Sequence, residues 1–220
     1  MTRPNVFLSK SDAAYAEVRD RILSGELAPG SVLAQYELAE SLAMSITPLR
    51  EALRRLKGEG LVELDVHRDA RVAPLHAKEA RELFEIRLSL DPLAAGLAAQ
   101  RRTDADIEAM RFAVGRLLPV TKKWGEEALA VHRAFHRAVY RASHNDELIG
   151  LLDSLWDRSD RYRRLGLELP PGEEPRLRDH QEHHTLLNLI IEGDSDAVSA
   201  LLRDHIRLSL TASAIEALEA

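Results

Sequence analysis

Apolar residues recur at helical spacing along most of the chain, and the period changes only once. Over residues 13–23, Tyr15, Val18 and Ile22 share one helical face, and Gly25 stops the helix. Glu26-Leu27-Ala28-Pro29-Gly30 reads as a turn. A short helix follows over residues 35–42, with Leu38, Ala39 and Leu42 apolar, and then a break at 43–46. The third helix covers residues 47–57: Thr47 suits the N-cap with Pro48 at the first helical position, and Ser45 is the alternative cap. Gly58 or Gly60 ends it. Val62, Leu64 and Val66 then alternate with Glu63 and Asp65, as in a half-buried strand, His67-Arg68-Asp69 turns the chain, and residues 70–73 return. Three short helices and a two-stranded ribbon within residues 1–74 predict a winged helix-turn-helix.

Beyond Pro74 every periodic segment is helical, so residues 75–220 are expected to form a second, all-α domain of about six helices. The first, 77–101, carries Leu83, Ile86, Leu90, Leu93 and Leu97 on one stripe, with a kink expected at Pro92. Further helices are predicted over 104–118, 123–143 and 145–166. A loop at 169–172 precedes a hairpin of helices 174–192 and 195–217 around Gly193-Asp194. The fold class is mainly α: a winged helix-turn-helix followed by a helical bundle.

Composition narrows the function. Aromatic residues make up only 5% of the 220, so Leu, Ala, Ile and Val must fill the cores. There is no cysteine, which removes disulfides, thiolate metal sites and thiol catalysis. No apolar run approaches the roughly 18 residues of a membrane span, and residues 1–10 lack a signal-peptide core. A cytoplasmic protein without a membrane partner is expected. The net charge of −6 argues against nucleic acid as a sum, but its distribution does not. Within residues 47–57, Arg50, Arg54, Arg55 and Lys57 face Glu51 alone, a local +3.

That basic segment lies where a helix-turn-helix places its recognition helix. Ser45, Thr47 and the free N–H groups of the first turn can hold a phosphate. Arg50 and Arg54, four apart on one face, suit guanine edges or phosphates, and Arg68 and Arg71 of the wing can reach the backbone or minor groove. The alternative is an ordinary solvated helix face.

Four of the nine histidines fall on faces predicted to point inward. His132 and His136 are one turn apart, His183 aligns with Leu187 and Ile190, and His205 lies below Val198, Leu201 and Leu202. Four such imidazoles can ligate a divalent transition metal, zinc first and nickel or another as alternatives. Hydrogen-bonded core histidines are the alternative, and His180 with His184 repeats the spacing, but four inward positions together favour metal.

Several stretches carry a resemblance. Ile22-Leu23-Ser24-Gly25-Glu26-Leu27-Ala28-Pro29-Gly30, Glu37 to Leu42, Thr47-Pro48-Leu49-Arg50-Glu51-Ala52-Leu53-Arg54-Arg55-Leu56 and Gly58-Glu59-Gly60-Leu61-Val62 resemble the DNA-binding domain of GntR-type regulators. The family usually has Arg where this chain has Ile46 and Gly where it has Asp69, both positions that approach DNA. Residues 77–217 resemble the FCD sensor domain of the FadR subgroup in its shorter, VanR-like form, through Glu85-Ile86-Arg87, His132-Arg133-Ala134-Phe135-His136, Glu182-His183 and His205. Metal-binding members of that family use an Asp-x3-His pair and two later histidines. The resemblance therefore implies ligands at His136, His183 and His205, with His132 standing where the family has Asp. It also implies a small organic acid as effector, its carboxylate completed by the metal and met by Arg87; Asn188 is a weaker pocket candidate. An ion pair of Arg87 with Glu82 or Asp91 is the plain alternative.

The resulting expectation is a homodimeric repressor, released from a palindromic double-stranded operator by an organic acid bound at a metal-containing pocket. A direct metal sensor is the alternative. A metal-dependent enzyme ranks below both, and no enzymatic activity is expected, because His-Glu-x-x-His, paired Glu-x-x-His and nucleophile motifs are all missing.

Overall fold

The computed structural model describes residues 9–64, 70–118, 125–168 and 174–220. These fall into two compact units, Met1–Leu75 and His76–Ala220.

In the first unit, α1 (Lys10–Leu23) opens on a capping box. The Ser9 hydroxyl accepts from the Asp12 N–H, and the Asp12 carboxylate accepts from the Ser9 N–H. Its face of Ala14, Val18 and Ile22 is buried. α2 (Gln35–Ser41) and α3 (Ile46–Gly58) follow. The N-cap of α3 is Ser45, not Thr47, so Pro48 sits in the first turn rather than opening it. Leu49, Ala52, Leu53 and Leu56 form the buried stripe of α3, against Val18, Ile22 and Leu38.

The wing holds β2 (Val62–Leu64) and β3 (Ala70–Val72), paired antiparallel with Val62 opposite Val72 and Leu64 opposite Ala70. The expected two-stranded ribbon is in fact a three-stranded sheet of order β1-β3-β2. The extra strand, β1 (Val32–Leu33), is two residues long and carries no readable alternation. Gly30 makes the pairing reachable: its φ of +77° turns the chain, and its N–H donates to the Val72 carbonyl at 3.0 Å.

The turn between α2 and α3 contains Ala43 at φ +49°, a left-handed conformation that a Cβ disfavours. Ala43→Gly is expected to stabilise this unit by about 0.5–1 kcal/mol, the relief of strain exceeding the added chain entropy. Chemical denaturation followed by circular dichroism checks this; a lower midpoint would mean the turn is unstrained.

The second unit contains seven helices among the described residues: α4 (Ala77–Arg101), α5 (Asp104–Val114), α6 (Gly125–Arg141), α7 (Asp146–Glu168), α8 (Glu174–Glu192), α9 (Ser195–Arg207) and α10 (Leu210–Glu219). The single helix expected over 195–217 is two. The Leu208 and Ser209 N–H groups bond three residues back, to His205 and Ile206, and Ser209 is extended and caps α10.

The face that α4 buries also differs from expectation. Leu83 is buried, but Ile86 and Leu93 are exposed. The packed side carries Ala80, Arg87, Asp91, Pro92, Ala94, Ala95, Gly96, Ala98 and Ala99. Small side chains win here because α9 comes close: a Cβ on Gly96 would lie 2.7 Å from Ser199 Oγ. Ser199 and Ser195 in turn donate to the carbonyls of Pro92 and Gly96. Phe135, Met110, Leu152, Trp156, Ile190 and Leu202 fill the middle of the bundle. No helix among the described residues is long and apolar enough to cross a membrane.

Candidate functional site

In the first unit, burying Leu49, Leu53 and Leu56 turns the opposite stripe of α3 outward. Ser45, Thr47, Arg50 and Arg54 are all exposed on it. Arg50 donates from Nε to Gln35 on α2 at 3.0 Å, so its guanidinium is steadied from the preceding helix. Arg55, part of the same basic run, is engaged elsewhere. It pairs with Asp12 at 2.6 Å and stacks over the Tyr15 ring at 4.0 Å. Arg71 is exposed on β3 and bonds the Gly30 carbonyl. Arg68 and Asp69 lie outside the described residues.

In the second unit, α6, α8 and α9 bring His132, His136, His183 and His205 together. All four are buried, and one nitrogen from each lies within 4.8 Å of every other. His136 Nε2 and His183 Nε2 are 3.1 Å apart. Two of the rings are oriented from behind. His183 donates from Nδ1 to the Asp179 carbonyl one turn earlier, and His205 donates from Nδ1 to the Glu182 carboxylate at 2.8 Å. Both Nε2 lone pairs are thereby directed into the cluster, the arrangement that orients metal-bound imidazoles. His132 is held differently: Arg163 of α7 donates to its Nδ1 at 3.0 Å.

Burial favours the neutral imidazole, and neighbouring positive charge adds to it. The pKa values of His132, His136 and His183 are accordingly well below the ordinary histidine value. Buried imidazoles whose nitrogens converge are a donor set that fits a borderline divalent cation.

Beside the cluster lies a buried polar network. Arg87 of α4 donates from Nε and Nη2 to a single oxygen of Asp91, at 3.1 and 2.7 Å. Tyr140 donates to the same oxygen at 2.8 Å, and Trp156 Nε1 donates to the Tyr140 hydroxyl at 3.0 Å. Arg87 also stacks on Trp156, 4.2 Å from the ring centroid, and Arg163 stacks at 4.8 Å. Burial works against the charge on Arg87, but Asp91, joined by Tyr140 and Asp160, more than offsets it and holds the pKa above the ordinary arginine value. Of the alternatives weighed for Arg87, the structure contains the ion pair with Asp91. Asn188 does not join the site; it is exposed on α8, on the outward side with His184.

The residues that sequence reasoning missed are Trp156, Asp160, Arg163 and Asp179. Asp160 is buried and bonds Arg163 at 2.8 Å while Arg133 reaches it at 3.2 Å. No local spacing marks these α7 residues. Asp179 did carry a signal, because Asp179-x3-His183 is itself an Asp-x3-His pair.

Two family profiles match this chain. The one described as bacterial regulatory proteins, gntR family, covers residues 10–72, and that of the FCD domain covers residues 82–208. The chain belongs to the GntR family. Its relatives include the HTH-type transcriptional repressor GlaR of Escherichia coli, 28% identical over 87% of this chain and 90% of GlaR. The HTH-type transcriptional regulator McbR of E. coli is 30% identical over 87% of this chain and 89% of McbR. The solved structure of E. coli McbR/YncC superposes with a TM-score of 0.81, covering 97% of this chain and all of that one at 24% identity, which speaks to the fold. The protein is thus a GntR-type transcriptional regulator with a DNA-binding helix-turn-helix and an FCD effector-binding domain. GntR regulators bind DNA and typically act as dimers.

Proposed function

We propose that this regulator is a cytoplasmic repressor, bound as a homodimer to a palindromic operator and released when a small organic acid enters the second unit. Residues 1–74 read DNA and residues 75–220 sense the acid. The reading rests chiefly on the convergence of four buried imidazoles, two with Nδ1 anchored so that Nε2 faces inward. His136, His183 and His205 would hold a divalent transition metal, zinc before nickel, with His132 the fourth candidate ligand. A bound ion of that kind supplies a Lewis-acidic position for a carboxylate oxygen. The chain's own part is to hold His132, His136 and His183 neutral, shield the four rings from water and present Arg87 next to the cluster. GlaR, by its name a repressor, supports the direction of control.

On the DNA side, Thr47, Arg50 and Arg54 form the reading stripe of α3, Ser45 and the first-turn N–H groups meet a phosphate, and Arg71 with Arg68 flanks the groove. Arg54→Ala is expected to weaken binding to a selected operator duplex by about 1–3 kcal/mol and to relax the preference at one base pair. Arg55→Ala, by contrast, is expected to leave base preference unchanged. Fluorescence anisotropy against a duplex selected from a random pool measures both, and equal effects of the two substitutions would remove α3 as the reading helix.

The regulatory reading is tested by titrating zinc-loaded protein on that duplex with carboxylic acids shown by calorimetry to bind. Operator affinity must fall; an unchanged affinity in the presence of bound acid defeats the proposal. One observation favours a second reading, a direct metal sensor: Arg87 already spends two donors on Asp91. Chelation that changes operator affinity with no acid present would select it.

A further inference from the structure

Besides the four rings, a carboxylate faces the histidine cluster. Asp179 Oδ1 lies 3.5 Å from His205 Nε2, and Asp179 Oδ2 lies 3.7 Å from His132 Nε2. The backbone of the same residue is fixed, because its carbonyl accepts the His183 Nδ1 hydrogen. α8 therefore delivers two groups to one place, His183 and, one turn earlier, the carboxylate of Asp179.

The hydrogen bonding of His132 bears on the same question. A guanidinium only donates, so the Arg163 contact consumes the Nδ1 lone pair of His132. A neutral imidazole has one nitrogen lone pair in the ring plane. With Nδ1 accepting, the hydrogen resides on Nε2, the atom that points toward Asp179. To ligate through Nε2 the ring would have to become an imidazolate or break from Arg163. His136, His183 and His205 carry no such obstacle.

Distances favour the same assignment. A tetrahedral zinc with bonds of about 2.0–2.2 Å sets its ligand atoms about 3.3–3.5 Å apart. The His136 Nε2 to His183 Nε2 separation is 3.1 Å and the His205 Nε2 to Asp179 Oδ1 separation is 3.5 Å. Each separation is close to one edge of such a tetrahedron, and three imidazoles with the Asp179 carboxylate would supply its four donors.

We propose that Asp179 is the oxygen ligand of the metal centre, and that His132, clamped by Arg163, is an outer group whose Nε2–H faces Asp179 at 3.7 Å, not a fourth imidazole ligand. The carboxylate absent from position 132 is in this way restored from a different helix. The site keeps the one negative charge that a set of four neutral imidazoles would lack. The inference rests on the metal-centre reading above, and its test separates the two.

X-ray absorption on the zinc-loaded full-length protein counts imidazoles directly, without any substitution. Three imidazoles with an oxygen donor are expected; four overturn the proposal while leaving a metal centre in place. Asp179→Asn, nearly isosteric, is expected to lower zinc affinity at least 10–100-fold in competition with a chromophoric chelator, the range set by removal of supporting groups. Unchanged affinity overturns the assignment. His132→Ala is expected to retain one equivalent of zinc with the same imidazole count, and loss of a ring from that count overturns it. Circular dichroism establishes that each variant is folded. If the wild type takes up no zinc, or His183→Ala binds it as well as wild type, the metal-centre reading falls and this inference falls with it.

Discussion

Asp91→Ala is expected to lower the unfolding free energy of the His76–Ala220 unit by about 3–5 kcal/mol, the cost of leaving a buried charge without its partner. Arg87 directs two donors at one Asp91 oxygen, and Tyr140 directs a third. Asp91 is fully buried and Arg87 nearly so, leaving little water to take the carboxylate's place. The stacking of Arg87 on Trp156 remains in the variant but is worth only about 1–2 kcal/mol, less than the loss. A double replacement, Arg87→Met with Asp91→Leu, is expected to recover most of the stability, since it removes both charges and leaves only the Tyr140 hydroxyl short of an acceptor. Urea unfolding followed by circular dichroism measures the change, and hydrogen exchange assigns it to α4 and α6. A loss below about 1 kcal/mol for Asp91→Ala would show that the guanidinium finds water or another acid on losing its partner.

Acid is expected to destabilise the metal-free protein from just below pH 6.5 downward. The folded pKa values of His132, His136 and His183 are depressed, first by burial and then by neighbouring positive groups. Above the unfolded value of 6.5 both states are neutral at these positions, and they add no pH dependence. Below it the unfolded chain takes up protons that the folded chain refuses, so stability falls with pH until the folded values are reached. Each ring contributes up to about 1.4 kcal/mol per pH unit, and the three together set a ceiling of about 4. Carboxylates such as Asp12 and Asp106, whose pKa values are themselves lowered, titrate at more acid pH and leave this window to the histidines. Unfolding midpoints with chelator present, between pH 7.5 and 5.5, measure the slope. A flat profile there would mean the rings are already protonated or exposed in the folded protein. Zinc loading is expected to shift the loss to lower pH, because metal and proton compete for the same lone pairs.

Local patterns in the sequence carried much of this architecture. The three helices and the wing of the first unit follow from period and punctuation, and so do α4 and the hairpin at Gly193-Asp194. β1 was not readable, because two residues cannot display an alternation and the strand exists only through pairing with β3. The α9–α10 break was hidden because Leu208 and Ser209 interrupt no apolar stripe. On α4 the pattern misled: large residues were assigned to the core, whereas the close approach of α9 demands Ala and Gly and leaves Ile86 and Leu93 outside. The inward positions of the four histidines were legible from helical spacing. Their outer partner on α7 was not, since Arg163, itself held by Asp160, meets His132 only through the packing of separate helices.

Trp156 gives the molecule an optical consequence. Its indole is buried, lies between 5 and 6 Å from the ring centres of His132 and His136, and carries the Arg87 and Arg163 guanidiniums against its face. Excitation of an indole moves electron density across the ring, so any charge arriving nearby shifts the colour of the emitted light. A cation seated among the histidines, or an anion drawing Arg87 away, would each move that emission by altering the field from a different side. On the proposed reading, the second unit carries a native chromophore beside its binding site, and occupancy would be followed in the unlabelled protein as a shift in the Trp156 emission.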